Sequence, residues 1–534
     1  MRSRGSLITV MVAALALVAA ACKGTTTSAG SPSASGSAVA NATFTYSLTS
    51  QVMIGWDPST GYSNEIVAMN NMYETLTRYD PTTKDLQPLL ATSWKSADGG
   101  KVWTFTLRDG VTFHTGQTMT SADVKASVER TLKLNQGAAY IWGSVKSIDT
   151  PTPQTVVFHL KYPAPLDLVA SADYAAYIYD TKAAGSEDLG KWFEQGHEAG
   201  TGPYMLDQWN KGQEVELRLK AYPQYWGGWD GAHYTNVVFQ VTPQATTAAQ
   251  QLRAGEVSLV ERLTPQLWQS FQGQGGFQTT DSSSWQTLLA MLNTSSGPLA
   301  DQRVRQAVAY TIDYQGMMSA LHGAAQQISG IVPPGLWGHF DGLDLQYDPN
   351  AAADLLKQAG YGPGGRSMDL TLTYVQGDAD EELVASLMKS DLAKLNINLS
   401  VRALAWPSQW AQGKSSDPSK RQDIFLFYWW PDYADPYSWF INLFHTEDKP
   451  YFNLSYYSNP QLDSTMNRAE VEAASNRDAA TQLYQQMQQT LMKDMPALSI
   501  YTQVYQRAML ASVQGFQENP AYPNVVFVYD LTPA

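Results

Sequence analysis

Val102-Trp103-Thr104-Phe105-Thr106-Leu107-Arg108-Asp109-Gly110 alternates between large apolar and polar residues from Trp103 onward and then stops at a turn pair. Successive side chains of a strand point to opposite faces, so Trp103, Phe105 and Leu107 share one face and predict a half-buried strand. Asp109-Gly110 is a turn signal. Thr120-Ser121-Ala122-Asp123 then offers a hydroxyl to cap a helix and a carboxylate for its first turn. The segment predicts strand, turn, helix. The same switch of period recurs outward along the chain. Val237-Val238-Phe239-Gln240-Val241 reads as a buried strand, followed by a helix over 246–252 that Gly255 ends. An amphipathic helix is predicted over 301–312, and Asp348-Pro349 opens another that Gly360 closes. Leu370, Leu372 and Tyr374 alternate, 381–395 has helical spacing, and Ile397, Leu399 and Val401 alternate again. A β-α-β unit of this kind predicts a mixed α/β fold with a parallel or mixed sheet.

The single cysteine of the 534 residues, Cys22, ends an uncharged run from Leu7 to Ala21 that follows Arg2 and Arg4. A basic start, a short apolar stretch and small residues before a processing point predict a signal peptide over 1–21. Ala19-Ala20-Ala21-Cys22 resembles a bacterial lipobox, which implies acylation of Cys22 and anchoring to the outer face of the bacterial cell membrane. The alternative is a cleaved signal with an incidental cysteine. Residues 22–40 are then the lipidated cysteine and a flexible linker, too poor in large apolar side chains to offset their chain entropy. No later apolar run is long enough to cross a bilayer, and a lone cysteine excludes a disulfide framework, so the rest is expected to be a globular body held by its core. Length alone suggests about three domains of roughly 150 residues each. The net charge of −14, without a Lys/Arg cluster, argues against nucleic acid or anionic lipid as a partner.

Several blocks, in order, resemble the family 5 extracellular solute-binding proteins that deliver peptides to ABC importers. They are Tyr73-Glu74-Thr75-Leu76, Leu89 to Trp94, and Trp103 to Gly116 running into Ala122-Asp123-Val124. Gly200-Thr201-Gly202-Pro203-Tyr204, Tyr225-Trp226-Gly227-Gly228, Arg303 to Ala307, Ala359-Gly360-Tyr361 and Ser458-Asn459-Pro460 continue the pattern. Ser258 departs from it, standing where the family usually has Asp. The resemblance implies a two-lobed periplasmic-binding-protein-like fold (type II, with an extra inserted domain) and a hinged ligand cleft. Carried over, lobe I takes 41–83, 190–285 and 495–534, the inserted domain 84–189, and lobe II 286–494. It implies no enzyme, a monomer, a small-molecule ligand and permease subunits of an ABC transporter as partner.

The densest aromatic stretch, Phe427 to Trp439, carries Asp432, Asp435, Pro431 and Pro436. Its prolines leave backbone groups seeking partners outside regular structure, as on a loop or strand edge facing a cleft. In peptide-binding members a Trp-x-x-Asp motif pairs its Asp with the ligand's α-ammonium, and Trp429 and Asp432 match it by spacing. A carboxylate held between rings is a sound partner for a primary ammonium. Trp429, Trp430, Tyr428 and Tyr433 are the neighbouring ligand candidates, with Trp439 assigned to the core and Asp435 to capping beside Pro436. Trp56-Asp57-Pro58 resembles an element preceding a cleft loop, which adds Tyr62, Ser63 and Asn64. Where some oligopeptide binders place an Arg before the motif, this chain has Leu426, and Lys420 and Arg421 are farther off.

An oligosaccharide is the alternative ligand, with Trp406 and Trp410 as a stacking platform beside Asp432. The seven histidines show no ligand-like clustering, so neither a metal nor a cofactor is expected. No Gly-x-Ser-x-Gly, His-Glu-x-x-His or phosphate-loop sequence occurs, which leaves a secreted hydrolase only scattered carboxylates to use.

Overall fold

The computed structural model describes residues 42–50, 55–209 and 216–534. The expected signal peptide, Cys22 and the linker lie outside the described residues. Two long strands organise the rest. Phe277–Leu292 and Ala497–Leu510 run antiparallel, paired from Phe277 opposite Leu510 to Met291 opposite Ala497. Outside Phe277–Leu292 lie Ile424–Trp429, Met368–Val375 and Ile397–Leu404. Outside Ala497–Leu510 lie Leu259–Val260, Thr43–Leu48, Asn236–Val241, Glu216–Ala221 and Tyr204–Trp209. With Ala325–Gln326 on Ala497–Leu510, this is an eleven-stranded sheet with the long pair near its middle.

The predicted β-α-β unit is present. Met368–Val375 pairs in parallel with Ile397–Leu404, and the helix between them, Ala379–Ala393, is capped by Asp378, whose side chain accepts from the Asp380 and Glu381 N–H groups. The other predicted helices keep their caps. Asp301 accepts from Arg303 N–H, Pro349 stands first in its helix, and Gly255 ends Ala245–Ala254 at φ +72°. Ile424–Trp429 is buried on both faces. Ile424 and Leu426 join Leu288, Ala290 and Leu292 in one core, while Phe425, Phe427 and Trp429 join Leu289 and Met291 in the other. Period-two geometry thus divides one unbroken apolar run between two cores, each large side chain gaining about 1.5–3 kcal/mol by burial.

Trp103, Phe105 and Leu107 are buried on one face of Val102–Leu107, as the alternation predicts. That strand lies in a four-stranded antiparallel sheet with Ala91–Ala97, Thr155–Leu160 and Val145–Thr152, and Thr120 and Asp123 form a reciprocal cap on the helix Ser121–Leu134. Three of the sequence blocks meet in space at Glu74. Its carboxylate accepts from Thr201 Oγ1 at 2.9 Å, Tyr225 Oη at 2.9 Å and Trp226 Nε1 at 3.0 Å. Beside it, His114 reaches Glu198 through Nδ1 at 2.7 Å and the Gly202 carbonyl through Nε2 at 2.9 Å. Both ring nitrogens face acceptors. Burial lowers the His114 pKa, but Glu198, the Gly202 carbonyl and Glu74 together more than reverse this and hold it above the usual histidine value. Glycine is required at Gly200, where a Cβ would lie 2.0 Å from the Met72 carbonyl oxygen. Ser258, the departure from the family pattern, ties the sheet instead, accepting from Thr45 N–H through its hydroxyl at 3.0 Å.

Candidate functional site

In an open α/β sheet the loops leaving the carboxyl ends of parallel strands make the ligand crevice. Those loops converge on one cavity of about 340 Å³. Val375 ends the Met368–Val375 strand, Asp378 and Glu381 follow it, and Trp406 and Trp410 follow Ile397–Leu404. Phe427, Tyr428, Trp429, Trp430 and Asp432 end or follow Ile424–Trp429. From across the long pair, Ser50 follows Thr43–Leu48, with Tyr62, Ser63 and Asn64 from a nearby loop and Tyr140 and Tyr174 from the 91–160 sheet region and its sequel. Gln286 comes from the long pair itself, where pairing slips between Ser283 and Thr287, and Tyr505 Oη holds its Oε1 at 2.6 Å.

The wall is aromatic. Trp406 and Trp410 lie 5.1 Å apart between ring centroids, and Trp429 meets Phe452 edge-on at 5.2 Å. Tyr428 is anchored by a 2.8 Å hydrogen bond between its hydroxyl and that of Tyr501. The 62–64 loop is held by Glu65, whose Oε1 accepts from the N–H groups of Tyr62 and Ser63, while Asn64 Nδ2 donates to Ser50 Oγ at 3.1 Å. Trp430 Nε1 donates to Tyr174 Oη at 3.1 Å, and that hydroxyl donates to the Ser63 carbonyl at 3.0 Å, so a tyrosine ties the 62–64 loop to Trp430.

Asp432 lies in this wall, 9 % exposed. Burial pushes its carboxyl up to about 6, partly offset by hydrogen bonds from Tyr140, Asn442 and Ser438. Tyr140 Oη donates to Oδ2, and Asn442 Nδ2 donates to Tyr140 Oη at 2.8 Å. Among the described residues, Asp378, Glu381 and Asp432 are the carboxylates of the lining, and no Lys, Arg or His shares it.

The structure gathers Asp432, Trp429, Trp430, Tyr428, Tyr62, Ser63, Asn64 and Trp406 around the cavity, and Trp410 with them. Tyr433 is not among the lining residues. It is 4 % exposed and packs in the core, because the loop turns at Asp432–Asp435 and adjacent side chains diverge. Asp435 accepts from Tyr437 N–H at 2.8 Å and Tyr484 Oη at 3.0 Å, and Trp439 is fully buried. A helix does begin inside the aromatic stretch, Tyr437–Leu443, with Pro436 at its cap where a missing N–H costs nothing. Lys420 and Arg421 stand away from the cavity lining, Arg421 lying over the Tyr456 ring. Sequence reasoning passed over Tyr140, Tyr174, Gln286, Asp378 and Glu381. The last two had a signal in Gly377-Asp378-Ala379-Asp380-Glu381 directly after a predicted parallel strand, whereas the others had none.

A family model described as "Bacterial extracellular solute-binding proteins, family 5 Middle" matches residues 85–451. The chain belongs to this family. A family 5 protein of this kind binds solute outside the cytoplasm and is not an enzyme. It is 31 % identical over 466 residues to the probable D,D-dipeptide-binding periplasmic protein DdpA of Escherichia coli K12, covering 85 % of this chain and 87 % of that protein. Haem-binding protein A of Haemophilus influenzae is 25 % identical over 550 residues, with 96 % of each chain covered. In fold, the chain matches the periplasmic binding protein DppA from Helicobacter pylori in complex with peptide STSA at a TM-score of 0.80. That match has 23 % identity and covers 92 % of this chain and 98 % of that one. Among the described residues of this family 5 protein, no helix is long and apolar enough to cross a membrane.

Proposed function

We propose that this family 5 protein captures short peptides between its lobes and delivers them to the permease of an ABC importer. The observation that carries the reading is Asp432, a buried carboxylate set among Trp429, Trp430 and Tyr140 in a cavity of about 340 Å³, at the small end of the range for ligand pockets. A primary ammonium entering there meets a desolvated counter-charge, and the rings accept varied side chains. The D,D-dipeptide name of the E. coli relative supports the class. Trp429, Trp430, Tyr428, Tyr62, Ser63, Asn64 and Trp406 are the contacting residues in this reading. A ligand touching both lobes shifts their population toward the closed form, which a permease recognises. We take lobe I as 41–83, 190–285 and 495–534, the inserted domain as 84–189 and lobe II as 286–494. Cys22 tethers the monomer to the membrane after removal of residues 1–21, and acyl mass on the membrane-extracted protein is the measurement that decides this. The Trp406 and Trp410 pair keeps an oligosaccharide as the second reading. Titrating the delipidated protein with a tripeptide pool and with cello- and malto-oligosaccharides, followed by Trp fluorescence and thermal shift, separates them: binding of sugars alone overturns the peptide reading.

A further inference from the structure

The cavity has two carboxylate stations, and the proposed capture of an α-ammonium uses only one. The second is formed by Asp378 and Glu381 at the start of the helix Ala379–Ala393. Glu381 is 1 % exposed yet lines the cavity. Among the described residues its carboxylate accepts one hydrogen bond, from Val375 N–H to Oε2 at 2.7 Å, and Oε1 has no donor. A carboxylate in a cavity wall that accepts a single hydrogen bond from the fold has capacity for a further donor from a ligand.

Charge at this station stays negative after its neighbours are included. Arg262 is the nearby cation, and it is already shared between Asp378 Oδ2, at 3.3 Å, and Asp380 Oδ2. Burial and the neighbouring Asp378 hold the Glu381 pKa well above the usual carboxylate value, so a cation arriving beside it favours its charged form. Asp378 and Asp380 already face one guanidinium between them. On the aromatic wall, Lys414 is drawn back over the outer rings, its Nζ 5.2 Å from the Trp410 centroid and 4.7 Å from that of Tyr451. Among the described residues, neither nearby cation is therefore free to meet a ligand carboxylate in the cavity. Bringing an unpaired carboxylate into such a cavity carries a desolvation penalty and adds like-charge repulsion.

Resting on the peptide reading, we infer that the site selects a ligand with two cationic groups and no carboxylate inside the cavity: an α-ammonium at Asp432 and a second ammonium or guanidinium at Asp378 and Glu381. A basic dipeptide whose carboxyl end is amidated, or extended out of the cavity, has this chemistry. A compact zwitterionic dipeptide does not.

Isothermal titration of the purified protein at neutral pH with four compounds tests the inference: alanyl-leucine, alanyl-leucinamide, alanyl-lysinamide and N-acetyl-alanyl-lysinamide. The expected order is alanyl-lysinamide at least tenfold tighter than alanyl-leucinamide, and alanyl-leucinamide at least tenfold tighter than alanyl-leucine. Equal or tighter binding of alanyl-leucine than of its amide overturns the inference and leaves the peptide reading standing. So does a lysine compound no tighter than the leucine one. Failure of all four, with oligosaccharide bound, overturns both. Loss of binding on N-acetylation supports ammonium capture independently of the second station. Glu381→Gln is expected to erase the lysine advantage, with a melting curve to confirm folding. The wild-type series decides the matter without the variant.

Discussion

Glu74 and Asp432 are both buried carboxylates in this protein, and they are built for opposite ends. Burial raises the pKa of each above the usual carboxylate value. Around Glu74, three donors from two other sequence blocks converge and saturate it. Its neighbours are backbone packed so closely that Gly200 admits no Cβ. Asp432 instead has its principal donor, the Tyr140 hydroxyl, beside it in the wall of a cavity that both line. A carboxylate whose donors are all supplied by the fold is a joint, and one that shares a cavity wall with aromatic rings has room for a donor from outside.

Four experiments press on that contrast. Glu74→Ala is expected to have the largest effect, leaving three buried donors unpaired and lowering stability by about 3–5 kcal/mol, read by chemical denaturation. Asp432→Asn should leave the melting temperature nearly unchanged and weaken peptide binding by roughly 30-fold or more, since a buried charge partner is worth about 2–5 kcal/mol. Unchanged affinity in that variant sinks the ammonium-capture role.

The third experiment separates the two regions by pH. Asp432 and Asp435 are raised to about 6 and Glu470 to about 7, all chiefly by burial. The folded state therefore holds these protons at pH values where the unfolded chain has released them, so stability falls as pH rises from about 4 toward 7. His114, also raised, acts in the same sense at higher pH: its contribution is full below the unfolded histidine value and is lost as pH passes the folded one. Ligand affinity should run the other way, falling about tenfold per pH unit below 6 as Asp432 takes up a proton. Melting curves and titrations between pH 5 and 8 should show the opposed slopes, and parallel slopes would place the ligand's charge partner elsewhere. The smallest effect is expected from Tyr140→Phe. It removes a donor to the Asp432 carboxylate, so the pH at which affinity is half lost should move upward by less than about one unit.

Much of the fold was legible because its signals are local. Thr120 with Asp123, Asp301, Pro349 and Gly255 each fix a helix end through their own backbone neighbours. Trp103, Phe105 and Leu107 reveal a strand face by spacing alone. The site was legible in three separate segments, Tyr62 to Asn64, Trp406 with Trp410, and Trp429 to Asp432, but not as one cavity. Tyr433, next to Asp432, faces the core because the turn at Asp435 directs it there, and no spacing rule sees that turn.

The sequence by itself determined the elements, their caps and the aromatic strand that carries Asp432, because these depend on contacts within a few residues. Tertiary structure alone decided the partners. Tyr140 meets Asp432 across 292 positions of chain, and Tyr174 meets Trp430 across 256. Glu381, an ordinary first-turn residue by pattern, becomes a cavity wall because the parallel strands end side by side and their loops share one crevice.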